Sequence, residues 1–405
     1  MDKSDKNIEN IIEYFKSGIK TDELKTGFEV EHFICTNNGG AADYDTVCHI
    51  AREIQKSFDN SRDILYNGKY IGFLNGEYSV SFEPSCQLEI SIFPQSDIFK
   101  LFDIYSTFFK KLKDVSAQMG LSVHTVGYHP YKKAAELEFI PKERYRFMDK
   151  YFEKTGKLGK NMMRATCSVQ VAIDYTSEYD FIKKYRLASV LSPLFSLICD
   201  NSPVFEGEKN TMYAVRNYIW NSVDNKRCGV IKGIFDDDFG FNKYARLVYN
   251  TAVIVDERNG ETVYAEDMPY SEIYIDSEIT NTQIEHLLSM FFFDVRLKKY
   301  IEIRMADSMP PQYIFAYVAL INSIFYGGNG ECVDALYKKY CNVEENDILN
   351  AKTSIIKDGY SASAYGNTVF DILEDIFDTV DMYADKSTAK AYRPLADKIK
   401  SYKKE

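Results

Sequence analysis

The stretch ATCSVQVAIDY (residues 165–175) decides the fold. Its residues alternate as a strand's should. Cys167, Val169, Val171 and Ile173 fall on one face, and Thr166, Ser168, Gln170 and Asp174 on the other. The second face is either wet or the lining of a site. Which of the two holds turns on whether other strands carry the same two faces.

Three others do. In GFEVEHF (27–33), Glu29 and Glu31 stand two apart and project from one side. In FEPSCQLEISIF (82–93), Leu88, Ile90 and Ile92 alternate with Gln87, Glu89 and Ser91, with Glu83 just upstream. In YIEIRMAD (300–307), Ile301, Ile303 and Met305 alternate with Tyr300, Glu302 and Arg304. An antiparallel sheet with one solvated face accounts for each strand taken singly. Glutamate, however, is poorly suited to strands. If the strands are neighbours, their carboxylates converge, and two unit charges about 4 Å apart repel by roughly 4 kcal/mol at an effective dielectric near 20. Such a cluster needs protons or a cation. Oxygen ligands without histidine suit Mg²⁺ or Mn²⁺, and Mg²⁺ usually shares phosphate oxygens. The pattern points to a metal–nucleotide site on the concave face of a sheet.

Around these strands the chain reads as α+β. Helical spacing covers residues 1–25, 43–57, 97–119 (capped by Ser96) and 142–155. TSEYDFIKKYRLASVLSPLFSLICDNSP is a long helix, capped by Ser177, with Pro193 inside and a stop at NSP. Further helices are predicted at 208–220, 241–250, in TNTQIEHLLSMFFFDV and PPQYIFAYVALINSIFYG, and over the last 70 residues. YIGFLNGEYSVSFEPSCQLEISIFP gives two or three strands about an Asn-Gly turn, LSVHTVGYHP another strand, and AVIVDERNGETVYAED a hairpin with an Asn-Gly turn. The hairpins make the sheet largely antiparallel. Residues 1–405 read as one catalytic domain, with its core over 27–327 and a helical region at 335–405.

Composition narrows the function. The net charge is −11, and the longest basic clusters, KKLK (110–113) and the terminal KSYKKE, are short, which argues against nucleic acid as a partner. Eight scattered cysteines without a C-x-x-C pair fit reduced thiols of a cytoplasmic protein. No apolar run reaches membrane-spanning length, and the N-terminus lacks a signal core. The five histidines form no zinc motif, and no Walker, dinucleotide or G-x-S-x-G motif occurs. TGKLGK is a plain loop or a phosphate cradle, Asp236–Asp238 a solvated acidic loop or a metal site, and Asp174 a strand-end cap or a site residue.

With GKLGKNMMRATCSVQVAIDY, NSP, YAVRNYIW, FDDDFGFNKY, GFEVEHF, FEPSCQLEIS and YIEIRMAD, the chain resembles glutamate–cysteine ligases of the plant and proteobacterial type over roughly residues 27–327. Those enzymes carry G-x-E-x-E, S-x-E-P-G-x-Q-x-E-x-S, M-x-x-T-x-x-x-Q-V-x-x-D, N-S-P and Y-R-x-x-I-W in this order. The resemblance implies a glutamine synthetase-like fold: a curved, mainly antiparallel sheet with helices packed behind it. It implies ATP-dependent joining of the γ-carboxyl of glutamate to the amine of cysteine through an acyl phosphate, the first step of glutathione biosynthesis. A relative that uses a different acid or amine is the alternative. By the family pattern, Glu29, Glu31, Glu83, Glu89 and Glu302 match metal-holding acids. Gln170 and Arg304 match residues near the ATP phosphates, and Arg216 and Trp220 the glutamate grip. Met163 and Thr166 match the substrate-side lining. Arg304 reads equally as a partner of Glu302, and Trp220 equally as core. Ser85-Cys86 stands where the family usually has glycines. The implied partners are small molecules only, acting on a monomer or homodimer.

Overall fold

The computed structural model describes residues 3–258 and 260–402. Asn259 of the predicted Asn-Gly turn and the last three residues of the basic tail lie outside the described residues. Nine strands form the main sheet: β1 Thr26–Thr36, β2 Arg62–Tyr66, β3 Lys69–Leu74, β4 Tyr78–Phe82, β5 Leu88–Gln95, β6 Leu121–His124, β7 Ser168–Ile173, β8 Val295–Leu297 and β9 Ile301–Asp307. Their order is β8-β9-β7-β1-β5-β4-β3-β2, with β6 also paired to β1. All of these pairings are antiparallel, and the sheet stays open, so the class is α+β as predicted.

The helices that matter to the site are α1 Lys3–Lys16, α2 Tyr44–Gln55, α3 Ile98–Gln118, α4 Glu143–Thr155, α5 Gly159–Ala165, α6 Glu178–Ile198, α7 Val215–Trp220, α8 Pro311–Tyr326 and α9 Glu345–Asp358. One face of the sheet is apolar and covered. α3 packs on β1, β5 and β6, α6 on β9, and α8 on β7. Phe28, Val30, Val169, Val171, Ile173, Ile301 and Ile303 supply the sheet side of that core, all fully buried. Ser177 caps α6 by accepting from the Asp180 N–H, as its place before an apolar run predicts. Among the described residues no helix is long and apolar enough to cross a membrane.

Several boundaries differ from the sequence reading. Asp97, not Ser96, caps α3, through the Phe99 N–H. The helix predicted at 208–220 is only α7, because residues 204–209 turn back on themselves as a short hairpin. TNTQIEHLLSMFFFDV is helical only over Asn281–Leu288, and its aromatic half becomes short strands leading into β8. Residues 159–165, read as the approach to a strand, form α5. At 204–209 and 292–297 strand pairing overrides local helix propensity.

His32, on β1, is fully buried. Its ring is held between the Leu88 carbonyl at 3.0 Å and the Tyr105 hydroxyl at 2.9 Å. Burial pushes its pKa down to about 4. The unfolded chain therefore takes up a proton near pH 6.5 that the folded chain refuses until about pH 4, and stability falls as pH drops through that window. Urea unfolding at pH 7 and pH 5 is expected to show His32→Gln losing on the order of 2 kcal/mol less than the wild type over that step. An equal loss in both proteins would mean that His32 does not carry this pH dependence.

Candidate active site

Register assembles the other face of the sheet. Glu31 on β1 lies directly opposite Glu89 on β5, and Glu29 lies between Ser91 on β5 and Gln170 on β7. Directly opposed residues hold their Cβ atoms about 5 Å apart, so these carboxylates share one small area of sheet. Arg296 on β8 is opposite Glu302 on β9. A cavity of about 310 Å³ sits over this face. Glu29, Glu31, Glu83, Glu89, Gln170, Arg304, Arg216, Trp220, Met163 and Thr166 all line it. The polar side of the 165–175 stretch is thus not wet: Thr166, Ser168 and Gln170 are buried in the wall of a cleft.

The acids fall into two kinds. Glu302, 2% exposed, does not appear in the cleft wall and is satiated with cations. It meets Arg296 at 2.6 Å, Arg304 at 2.8 Å and Lys298 at 3.0 Å. Burial opposes its charge, but the three cations outweigh burial and hold its carboxyl well below the usual range. Glu29, Glu31, Glu83 and Glu89 have no ion-pair partner among the described residues. Burial, reinforced by Glu83, pushes Glu31 up to about 8. It does so although Glu31 accepts from the Ser168 N–H at 2.7 Å and Gln170 Nε2 at 3.4 Å. Burial and the field of Glu29, Glu83 and Glu31 raise Glu89 well above its ordinary value, and burial raises Glu83 and Glu29. Among the described residues no three carboxylate, imidazole or thiol groups cluster closely enough to cage a metal ion.

Arg216 and Trp220 come from α7. The Arg216 Nε donates to the Arg304 carbonyl at 2.9 Å, and the guanidinium sits 5.3 Å from the centre of the Trp220 ring. Neither Nη group of Arg216 has a hydrogen-bond partner among the described residues, and the indole N–H is likewise unmet. Arg304 donates to Gln170 Oε1 as well as to Glu302, so the two predicted phosphate-side residues touch each other. Gln87 ties the approach to β5 to the end of α5, accepting from the Ser85 N–H and donating to the Met163, Arg164 and Thr166 carbonyls.

Four lining cations escaped the sequence reading: Lys142, Arg144, Arg296 and Lys298. Lys142 and Arg144 stand at the first turn of α4, where cations oppose the helix dipole, and that mismatch was the available signal. Arg296 and Lys298 follow a segment read as helical, so their alternation went unseen. Other candidates fall outside the wall. Asp174 accepts the Lys25 N–H at 2.9 Å as a strand-end tie. Asp236 and Asp238, both exposed, pair with half-buried Lys243. TGKLGK leads into α5 without lining the cleft.

Comparisons with known proteins bear on the family and the fold. A sequence model of glutamate–cysteine ligase family 2 matches residues 25–391. Glutamate–cysteine ligase B, chloroplastic, of Oryza sativa subsp. japonica is 29% identical over 374 residues, covering 87% of this chain and 74% of the rice protein. The chloroplastic glutamate–cysteine ligase of Brassica juncea is 31% identical over 333 residues, covering 78% of this chain and 63% of that protein. The crystal structure of a glutamate–cysteine ligase from Francisella tularensis in complex with AMP superposes with a TM-score of 0.56. At 12% identity, over 94% of this chain and 82% of that one, it shares the fold.

The two kinds of acid predict opposite responses to neutralisation. Glu302→Gln removes the shared counter-ion of buried Arg296 and Arg304 and half-buried Lys298, and is expected to cost about 3 kcal/mol of stability in urea unfolding. For Glu31, a folded pKa near 8 against an ordinary 4.5 means that stability is lost as pH rises through this interval. Glu31→Gln is therefore expected to flatten the decline in urea midpoint between pH 5 and pH 8, measured without divalent ions. A decline as steep as in the wild type would show that Glu31 is already ionised in the folded protein.

Proposed function

The chain belongs to glutamate–cysteine ligase family 2 and is a ligase; from that premise we propose that it joins the γ-carboxyl of L-glutamate to the amine of L-cysteine with hydrolysis of ATP, the first step of glutathione biosynthesis. The observation that carries the substrate assignment is Arg216, buried beside the acids with both Nη groups unpartnered and the unmet Trp220 N–H next to it. A guanidinium fork of this kind binds a carboxylate through two parallel hydrogen bonds.

Mg²⁺ suits the remaining acids. Glu29, Glu31, Glu83 and Glu89 have no ion-pair partner among the described residues, and burial resists their ionisation, so a dication is the partner that would let them ionise together. Among the described residues they form no closed cage, so a metal held there would complete its shell with water and phosphate oxygens. We assign these four residues to hold it. When bound, the metal supplies charge neutralisation and polarisation at phosphate oxygens. Glu302 we assign to positioning: it spaces Arg296, Lys298 and Arg304 along one side of the cleft.

The chain's own groups then serve two displacements. The γ-carboxylate of glutamate attacks the terminal phosphorus of ATP, giving an acyl phosphate and ADP. The amine of cysteine attacks the acyl carbon, phosphate leaves, and an amide forms. Arg304, Arg296 and Lys298 stabilise charge that gathers on the transferred phosphoryl oxygens, with Gln170 orienting Arg304. Arg216 fixes the glutamate carboxylate, so proximity does much of the work. Met163 and Thr166 shape the substrate side. No side chain needs to form a covalent bond.

Phosphate release from ATP, measured with glutamate and each of several amines, is expected to depend on cysteine; release with another amine alone would reassign the acceptor. Removal of divalent ions with EDTA is expected to stop turnover, and Mg²⁺ to restore it. Arg216→Ala removes a charge-assisted hydrogen-bond pair, and a loss of about 1.5–3 kcal/mol corresponds to a roughly 10–100-fold rise in KM for glutamate. An unchanged KM for glutamate in a folded Arg216→Ala protein would take this residue out of the substrate grip.

A further inference from the structure

A second pair of charges lies outside the cleft wall. Lys352 on α9 is 0% exposed and Asp294, just before β8, is 2% exposed. The ammonium contacts the Asp294 carboxylate and, among the described residues, no other acceptor. Asp294 also accepts the Ser192 hydroxyl of α6 at 3.0 Å, while its other oxygen has no hydrogen-bond partner among the described residues. A buried ion pair is weak support for stability, because desolvation of both charges offsets their attraction. Its place in the fold suggests a different use.

The Asp294 carbonyl accepts the Arg304 N–H at 3.0 Å, and the Arg304 carbonyl accepts Arg216 Nε at 2.9 Å. At this point β9 is bulged: its register against β7 slips between Ile303 and Ala306. Arg304 is therefore held from the Asp294 side where its ladder on the other side is interrupted. The same helix α9 also accepts the Tyr213 N–H on its Ile356 carbonyl at 3.1 Å, two residues before α7. One C-terminal helix thus touches the supports of both site arginines. Burial, Glu31 and Asp307 act most strongly on Arg216, and the field of Asp294 reaches it as well.

We infer that Lys352 and Asp294 form a positioning pair through which α9 sets where the Arg304 and Arg216 guanidinium groups stand in the cleft. With Lys352 in place, the Asp294 charge is answered, and Arg216 stays over Trp220. Without it, the unanswered carboxylate draws Arg216 away from the indole. The inference rests on the reading of the two arginines as substrate-side groups, but its first readout does not.

Trp220 is the only tryptophan in the sequence, so its emission reports on the guanidinium beside it. Full-length wild type, Lys352→Met, Asp294→Asn and the double variant are compared by Trp220 fluorescence and by glutamate kinetics, at a temperature below every unfolding transition. Lys352→Met is expected to shift Trp220 emission and to raise KM for glutamate at least 10-fold. The double variant, which leaves no unpaired charge, is expected to return both to within about threefold of wild type. Wild-type emission and KM in folded Lys352→Met, or a double variant no nearer wild type than the single, would overturn the inference. If Lys352→Met does not unfold cooperatively, Asp294→Asn, which removes the other charge of the pair and leaves the backbone carbonyl in place, is read in the same way. A shifted emission supports the pair, and wild-type emission and KM overturn it. A wild type without glutamate-dependent turnover would remove the proposed function, and the fluorescence would still decide the positioning pair.

Discussion

Antiparallel register places Glu31 against Glu89 on neighbouring strands, and everything else about the cleft follows from that crowding of like charge. Side chains alternate with a period of two, so a slip of one residue between β1 and β5 would turn their glutamates into the helix-covered core. The apolar set on the same strands prevents the slip. Phe28, Val30, Leu88 and Ile90 are buried against the helices and fix the register that holds the acids together. The core and the site are two faces of one constraint.

The charges are sorted as well as gathered. Three cations pair directly with Glu302 and leave it ionised, whereas the four acids in the cleft wall have no ion-pair partner among the described residues. Six cationic side chains share the wall with those four acids. A site for a lone dication would not need the arginines and lysines, and a site for a bare anion would not tolerate the glutamates. A polyanion that arrives with its own metal satisfies both groups. α9 extends the scheme outward, linking the C-terminal helices to the strand edge that carries Arg296 and Arg304.

Much of this was legible before any coordinates. Period-two alternation gave the strands, and glutamates at alternate positions gave the composition of the cleft wall, because both depend on local pattern alone. The resemblance supplied Arg216, Trp220 and Met163, which arrive from helices that no spacing rule connects to the sheet. What stayed hidden depends on tertiary pairing. Glu302 looked like its fellows on β1 and β5, and only the proximity of Arg296 on β8 and of Lys298 just after it separates it from them. Lys142 and Arg144 could have been flagged as cations misplaced at a helix start. Lys352 and Asp294 could not, since a lysine and an aspartate 58 residues apart carry no signal of burial.

The central claim is that the four uncompensated carboxylates are completed by a metal-bound nucleotide. Calorimetric titration of the protein at pH 7 with a non-hydrolysable ATP analogue, with and without Mg²⁺, in two buffers of different ionisation enthalpy, tests it most directly. With Glu31 protonated at that pH in the free protein, binding should require Mg²⁺ and release protons to the buffer. Tight nucleotide binding that ignores Mg²⁺, or binding heats identical in the two buffers, would contradict the account.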